Sequence, residues 1–410
     1  MNRRRAPRRI SLSQRRDAPP PPPPPAGGGG GEWRPRTEEQ WRGPAKSPVI
    51  EGDADERRER RGKEAVPRGT CQTMCPAREL RERQLQSRLH RFEVLAGSEG
   101  DRRPKADPLR VVKEYSRPAA GKDLTHPADL RPAAVLLKTV CYLVDDIVAS
   151  PRLHPWTEAY SFAFDRLRGV KQDMIIQRVS GLSCVAILER TVRFLIYASY
   201  RLCGEPVRLY DPRINDTHLQ ENLSWLLDCY ATGAGPHANQ DEMQALGLLY
   251  NLGSARATQH IMELPNRLRS SPAITLALSI NRAFLERNPV RLLRLARRLN
   301  FLQSCAVHRH LVTCGRDLLL IYSHGFSSRN CRFPLDGVAR LLSLDAAAAG
   351  RLCAAYGVAL NRDDQLVFSK AAFTEPEHGK LHCKLYHAIV AAKQRELCVG
   401  DLIHGFAGDK

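Results

Sequence analysis

From about residue 76 to 322, apolar residues recur three and four positions apart, with proline and glycine clusters as punctuation. The stretch 132–150 predicts one helix, opened by Pro132 near its first turn, where a missing amide hydrogen costs nothing. Further helices are predicted near 156–168, 183–202, 216–231, 239–252, 256–268, 272–286, 289–302 and 304–323. Short connections between so many helices imply stacked neighbours, a solenoid, although no exact repeat is visible. After Arg332 the pattern changes. Stretches 335–342 and 345–356 predict two short helices, and 358–360, 361–364 and 366–368 predict strand, turn and strand. Two helices followed by a hairpin are the outline of a winged helix. A last helix is predicted over about 378–398. The expected fold is therefore all-α, a helical-repeat solenoid ending in a winged-helix module.

Before residue 69 this periodicity is missing. An arginine-rich start leads into seven prolines at 19–25, five glycines at 27–31 and then mixed charge. Such a segment buries too little apolar surface to offset its conformational entropy, so 1–68 is expected to be a disordered basic tail. The proline run favours the polyproline II helix, which serves as a spacer or docks on an aromatic-lined groove. Ser11, after Arg8, Arg9 and Ile10, and Ser47, before Pro48, are candidate phosphorylation sites. A phosphate there would add negative charge to a basic segment. The expected organisation is tail (1–68), helical-repeat domain (69–325), winged helix (326–375) and a C-terminal helix and tail (376–410).

Composition adds a constraint on partners. Hydrophobic residues at 42% and charged residues at 26% are ordinary globular usage, while aromatics at 6% leave few large rigid anchors. The formal net charge of +19 implies a surface that attracts anions, whether nucleic acid, acidic protein tails or phosphorylated partners. Through Arg68 there are 17 basic and 10 acidic residues, so tail and remainder are both basic. The 12 cysteines show no disulfide-like framework, and no apolar signal-peptide stretch follows the start, which predicts an intracellular protein with reduced thiols. The most apolar stretch, 133–144, is interrupted by Lys138 and is far short of the roughly 20 residues that span a bilayer, so no membrane association is expected.

Candidate chemistry is sparse. Cys71 and Cys75 form a C-x3-C pair, but zinc needs two further ligands, and small packing residues are the better reading. His378, His382 and Cys383 lie within about a turn and a half of a predicted helix without the carboxylate of a metalloprotease pattern, which suits a solvated face. Arg287, Arg291, Arg294 and Arg298 recur at i, i+4, i+7 and i+11, opposite Leu292, Leu295, Ala296 and Leu299. Such a stripe binds RNA or another polyanion, or simply solubilises an amphipathic helix. The alternating charges of Asp165, Arg166, Arg168, Lys171 and Asp173 on one helix favour intramolecular bridges, worth about a few tenths of a kcal/mol each when exposed. Glu114 and Arg117 read as polar ties to the helical body. The second winged-helix helix holds only Arg351 as a cation, which favours protein docking over DNA reading. Phosphate-loop and nucleophile-elbow motifs are lacking, and Gly233-Ala234-Gly235 stands alone, so neither an enzyme nor a cofactor, metal or small-molecule substrate is expected.

Four blocks occur in order. The first is Gly-Thr-Cys-Gln-Thr-Met-Cys-Pro-Ala-Arg-Glu-Leu-Arg-Glu-Arg at 69–83, followed by Phe92-Glu93. The second is Val-Lys-Glu-Tyr-Ser-Arg-Pro-Ala-Ala-Gly-Lys at 112–122, and the third Asp-Leu-Arg-Pro at 129–132. The fourth is Phe-Ala-Phe-Asp-Arg-Leu-Arg-Gly-Val-Lys-Gln-Asp at 162–173. Together they resemble the signature of the GANP/Sac-three family, over about 69–373. The signature positions are Gly69, Cys71, Met74, Cys75, Pro76, Glu79, Arg83, Lys113, Tyr115, Arg117, Asp165, Arg166, Gln172 and Asp173. One departure stands out: relatives often carry a histidine after Arg-Phe in the following helix, where this chain has Leu195 after Arg193 and Phe194.

The resemblance implies a helical-repeat body ending in a winged helix, the architecture of PCI-domain scaffolds, with structural roles for the signature. It also implies a non-enzymatic scaffold that meets protein partners through its helical and winged-helix surfaces. The family divides between messenger RNA export scaffolds and a small centrosome-associated member, and the short architecture resembles the latter. The expected role is centrosome duplication and mitotic progression, in cytoplasm, centrosome and spindle. The alternative is an RNA-binding export adaptor at the nucleus or nuclear envelope.

Overall fold

The structure is a computed structural model that describes residues 66–117, 125–233, 237–376, 390–394 and 397–405. The proline run, Ser11, Ser47, His378, His382, Cys383 and most of the predicted helix 378–398 lie outside the described residues.

An arm, 66–117, comes first and carries helix α1 (Ala77–Leu85), a single 3-10 turn at Arg91–Glu93 and a β-bridge between Val94 and Ala106. The helical body follows as α2 (Ala133–Tyr142), α3 (Trp156–Ile176), α4 (Gly181–Arg201), α5 (Pro212–Thr232), α6 (Gln240–Tyr250), α7 (Ala255–Glu263), α8 (Asn266–Arg269), α9 (Pro272–Leu285), α10 (Pro289–Ala296) and α11 (Phe301–Gly325). The punctuation read from sequence is cap chemistry. Asp211, Ser271 and Asn288 accept the orphan amides of Arg213, Ile274 and Arg291, and each is followed by proline at the first turn of α5, α9 or α10. Asn300 and Gln303 form a reciprocal capping box at the start of α11.

The end of the first predicted helix winds differently. After Tyr142 the chain widens into a π-helical turn, Leu143–Val148, which buries Leu143, Val144, Ile147 and Val148 while Asp145 and Asp146 stay exposed. Helix α3 runs eight residues past the predicted end at 168, because Val170 and Met174 continue its buried face. Helix α4 is the centre of the core. It is buried nearly all round, from Cys184 to Tyr200, and packs on α2, α5 and α11. The position of Leu195 is part of that core, at 2% exposure. None of the described helices is long and apolar enough to cross a membrane.

Past α11 the chain forms β1 (Arg332–Pro334), α12 (Leu335–Leu342), α13 (Ala346–Ala355), β2 (Ala359–Leu360) and β3 (Gln365–Val367). The sheet is antiparallel in the order β1-β3-β2, with Phe333 and Leu360 both opposite Leu366. The two helices and the hairpin lie where the sequence put them, and β1 was not expected. No gap separates this region from the body. Phe326 and Phe368 both meet Phe333 edge-on and Tyr322 packs tilted against it, so one core runs through the boundary expected at 325. A short final helix, α14 (Val399–His404), returns to α4 and the π-helical turn, burying Leu402 and Ile403.

Candidate functional site

The signature residues meet where the arm lies against α3. Gly69 begins the contact: its amide donates to Gln177 Oε1 at 2.8 Å, and a Cβ there would sit 2.4 Å from the Leu130 carbonyl oxygen, so only glycine fits. The next two amides, of Thr70 and Cys71, donate to the carbonyls of Pro127 and Leu130. Cys71 is buried, its thiol donating to Thr73 O, and Cys75 packs on Ala106 and Val111. Burial pushes the Cys75 thiol well up, which disfavours the thiolate a metal would need. Among the described residues no group of three metal-ligating side chains is placed to hold an ion. Pro76 precedes α1, whose Glu79 accepts the Glu114 amide at 2.8 Å. Burial raises the Glu79 carboxyl above its usual range.

Two buried carboxylates organise the rest. Glu93, fully buried, accepts the amides of His90 and Val112 at 3.1 Å each and pairs with the guanidinium of Arg83, which also donates to Val112 O at 3.0 Å. Arg166 of α3 reaches the same carboxylate at 3.3 Å and stacks over the Phe162 ring. Asp173, also fully buried, accepts Lys113 Nζ at 2.6 Å on one oxygen and Arg131 Nε at 2.7 Å on the other. Lys113 Nζ donates further to Asp129 O and Arg131 Nη1 to Met74 O. Buried ions are tolerated in such places because each is paired and hydrogen-bonded.

A third set of contacts clamps the end of the arm. Gln172 brackets Ser116, accepting its amide and donating to its carbonyl, Asp165 accepts the Tyr115 amide at 3.2 Å, and Arg168 lies 3.9 Å over the Tyr115 ring. The arm passes so close to α3 that a Cβ at Gly169 would lie 3.0 Å from Lys113 O. The bridges of 165–173 are intramolecular, but most of them are buried and leave the helix. Only Asp165 and Arg166 pair within it, while the partners of Asp173 and the carboxylate that Arg166 shares with Arg83 come from the arm and the turn before α2. Sequence spacing reports only neighbours on the same helix. Glu114 ties the arm to itself, through Arg83 and Arg88, and Arg117 is exposed at its described end.

Other polar ties gave no sequence signal. Arg193, fully buried on α4, holds Glu242 of α6 in a two-toothed pair, while Glu189 accepts from Tyr230 of α5 and from Asn239. Lys393 Nζ inserts between α10 and α11, donating to Ala296 O and Ser304 Oγ, and burial lowers its pKa to about 8. His404 of α14 lies between Arg190 Nε and Asp145 Oδ1, 2.9 Å from each. The phenols of Tyr160, Tyr210, Tyr230 and Tyr250 are likewise pushed up by burial, in the core rather than in an open cleft.

The arginine stripe is altered by the structure. The helix expected over 289–302 ends at Ala296, and Asn300 caps a new one, so the four arginines do not share one helix. Arg287 occupies the preceding turn with φ of 49°, Arg291 and Arg294 lie on α10, and Arg298 follows it. All four are exposed. Arg291 lies 3.4 Å from Glu286. Arg297, absent from the stripe, donates to Ser343 Oγ and to Arg340 O, and with Arg294 and Arg340 it lines a cavity of about 360 Å³ between α10 and α12.

Comparison with known proteins agrees with the geometry. The family model described as "SAC3/GANP family" matches residues 74–362. SAC3 family protein 1 of Schizosaccharomyces pombe is 25% identical over 363 residues, covering 82% of this chain and 35% of the relative. Protein xmas of Drosophila melanogaster is 26% identical over 328 residues, 76% of this chain and 15% of the relative. SAC3 family protein B of Arabidopsis thaliana is 24% identical over 278 residues, 64% and 16% respectively. The chain thus spans about a third or less of the length of these relatives. With the matched region holding nearly the whole arm, its lock on α3 and the helical body, the chain belongs to the SAC3/GANP family.

Proposed function

We propose that the protein is a non-enzymatic scaffold of centrosome duplication and mitotic progression, with residues 69–325 as a PCI-like helical-repeat body, 326–375 as a winged helix and 376–410 as a C-terminal helix and tail. The observation that carries the scaffold reading is the inward direction of the signature. Apart from the exposed Arg117, its charged side chains bind other parts of the same chain, so the signature encodes an architecture and leaves the outer faces of the helices and of the β1-β3-β2 module for protein partners. The mitotic setting rests on the resemblance to the family's small centrosome-associated member. It is tested by following the tagged protein through the cell cycle and depleting it. Centrosomal and spindle signal with abnormal centrosome number and an unchanged distribution of polyadenylated RNA is the expected result. A nuclear-rim signal with RNA retained in the nucleus would overturn it.

One observation favours a second reading, an RNA-binding adaptor in messenger RNA export. Arg287, Arg291, Arg294 and Arg298 are all exposed beside the C-terminal module. On that reading, reversing the charge of Arg291, Arg294 and Arg298 together weakens RNA binding at least about tenfold and flattens the dependence of log affinity on log salt by about three units. Filter binding across a salt series measures both, and an unchanged slope would reject the arginines as phosphate contacts.

A further inference from the structure

Helices α4 and α5 are the most extensively packed pair in the body. Where the first turn of α4 meets the last turn of α5, Cys184 and Cys229 face each other with their sulfurs 3.8 Å apart. Cys184 is fully buried and Cys229 half-buried, so Cys229 is the more accessible residue of the pair. Bond formation needs the sulfurs to close from contact distance to about 2.05 Å.

We propose that Cys184 and Cys229 form a modification site at which a hydroperoxide oxidises the two thiols to a disulfide, joining α4 covalently to α5. Cys229, on the less buried residue of the two, attacks the peroxide and breaks its O–O bond, giving a sulfenic acid and, for hydrogen peroxide, one water. The Cys184 sulfur then attacks the Cys229 sulfur, and the Cys184 proton leaves with the displaced hydroxide as a second water. Two electrons pass from the sulfurs to the peroxide, so two thiols and one peroxide become one disulfide and two waters. An external dithiol reverses the reaction. Burial, with the neighbouring Cys229 thiol adding to it, raises the Cys184 pKa to about 12, so in the absence of oxidant Cys184 rests as a thiol. The bond closes a loop of 45 residues in the unfolded chain, long enough for a marked entropic stabilisation.

The test treats the full chain with graded hydrogen peroxide, blocks remaining thiols by alkylation and maps linked peptides by mass spectrometry without reduction. A Cys184–Cys229 peptide is expected at lower peroxide than sulfinic acid on the exposed Cys398, with a rise in Tm of about 5 °C that dithiothreitol removes. Cys184→Ser should stop Cys229 at the sulfenic acid, trapped by dimedone, and Cys229→Ser should leave Cys184 unmodified. Wild-type Cys229 that oxidises without cross-linking, or linkage scattered over other cysteines, overturns the proposal, and neither readout depends on the variants folding.

Discussion

Glu93→Ala is expected to lower the unfolding free energy by about 3–5 kcal/mol, the range for removing one partner of a buried ion pair. The carboxylate is the meeting point of two guanidiniums, Arg83 from α1 and Arg166 from α3, and of the amides of His90 and Val112. Deleting it leaves Arg83, itself fully buried, with the more distant carboxylates of Glu79 and Glu114 at 3.6 and 3.4 Å and the Val112 carbonyl. Two amides lose their acceptor as well, and each unsatisfied buried donor costs about 1–3 kcal/mol in its own right. The pair of exposed Arg78 with half-buried Asp129 is the internal control, with Arg78 at 65% side-chain exposure. Arg78→Ala should lose less than about 1 kcal/mol. Urea unfolding followed by circular dichroism measures both. Equal losses in the two variants would mean that the arm is held by its apolar contacts and that Glu93 does not lock it.

The contrast between those two pairs shows where sequence reading stops. Helix positions were legible because periodicity and caps are local: the expected starts at 272 and 289 coincide with those of α9 and α10, behind the caps Ser271 and Asn288, whereas α5 begins at Pro212, four residues before the expected 216. The hairpin of β2 and β3 was legible because Asn361 and Asp363 lie in a turn that polar side chains favour, with Asn361 Oδ1 accepting the Asp363 and Gln365 amides. The signature residues were legible only as a pattern. Arg166 meets a carboxylate 73 residues away and Lys113 one 60 residues away, distances at which spacing carries no information. For the same reason Gly69 could be named but not explained, since the oxygen that forbids a side chain there belongs to Leu130. Strand β1 has three residues and exists only because β3 offers it a free edge. The stripe on α10 was overextended because the arginine spacing continues past Ala296 although the backbone turns there, at the Asn300 cap of α11.

Asp173→Ala should likewise lose about 3–5 kcal/mol, since it leaves Lys113 and Arg131 buried without their shared counter-charge. A buried triad can nevertheless be a device of register rather than of net stability, because desolvating three ions consumes most of what their attraction returns. The two roles are separated by replacing all three at once, with Lys113→Met, Arg131→Met and Asp173→Leu. The carbonyls that the cations satisfied fare unequally in that variant. Met74 O keeps the Lys113 amide, and Asp129 O belongs to a half-buried residue, within reach of water. The triple variant should therefore recover to within about 2 kcal/mol of wild type. If the triad sets register, hydrogen exchange of the arm amides of Cys71 and Lys113 should stay fast even where global stability returns, because the polar tie of Asp173 to the arm and to the turn before α2 would then be gone. Slow exchange in a recovered triple variant would assign the register to Gly69, Gln172 and the Glu93 node instead, and a triple variant as unstable as Asp173→Ala would make the ions themselves the source of stability.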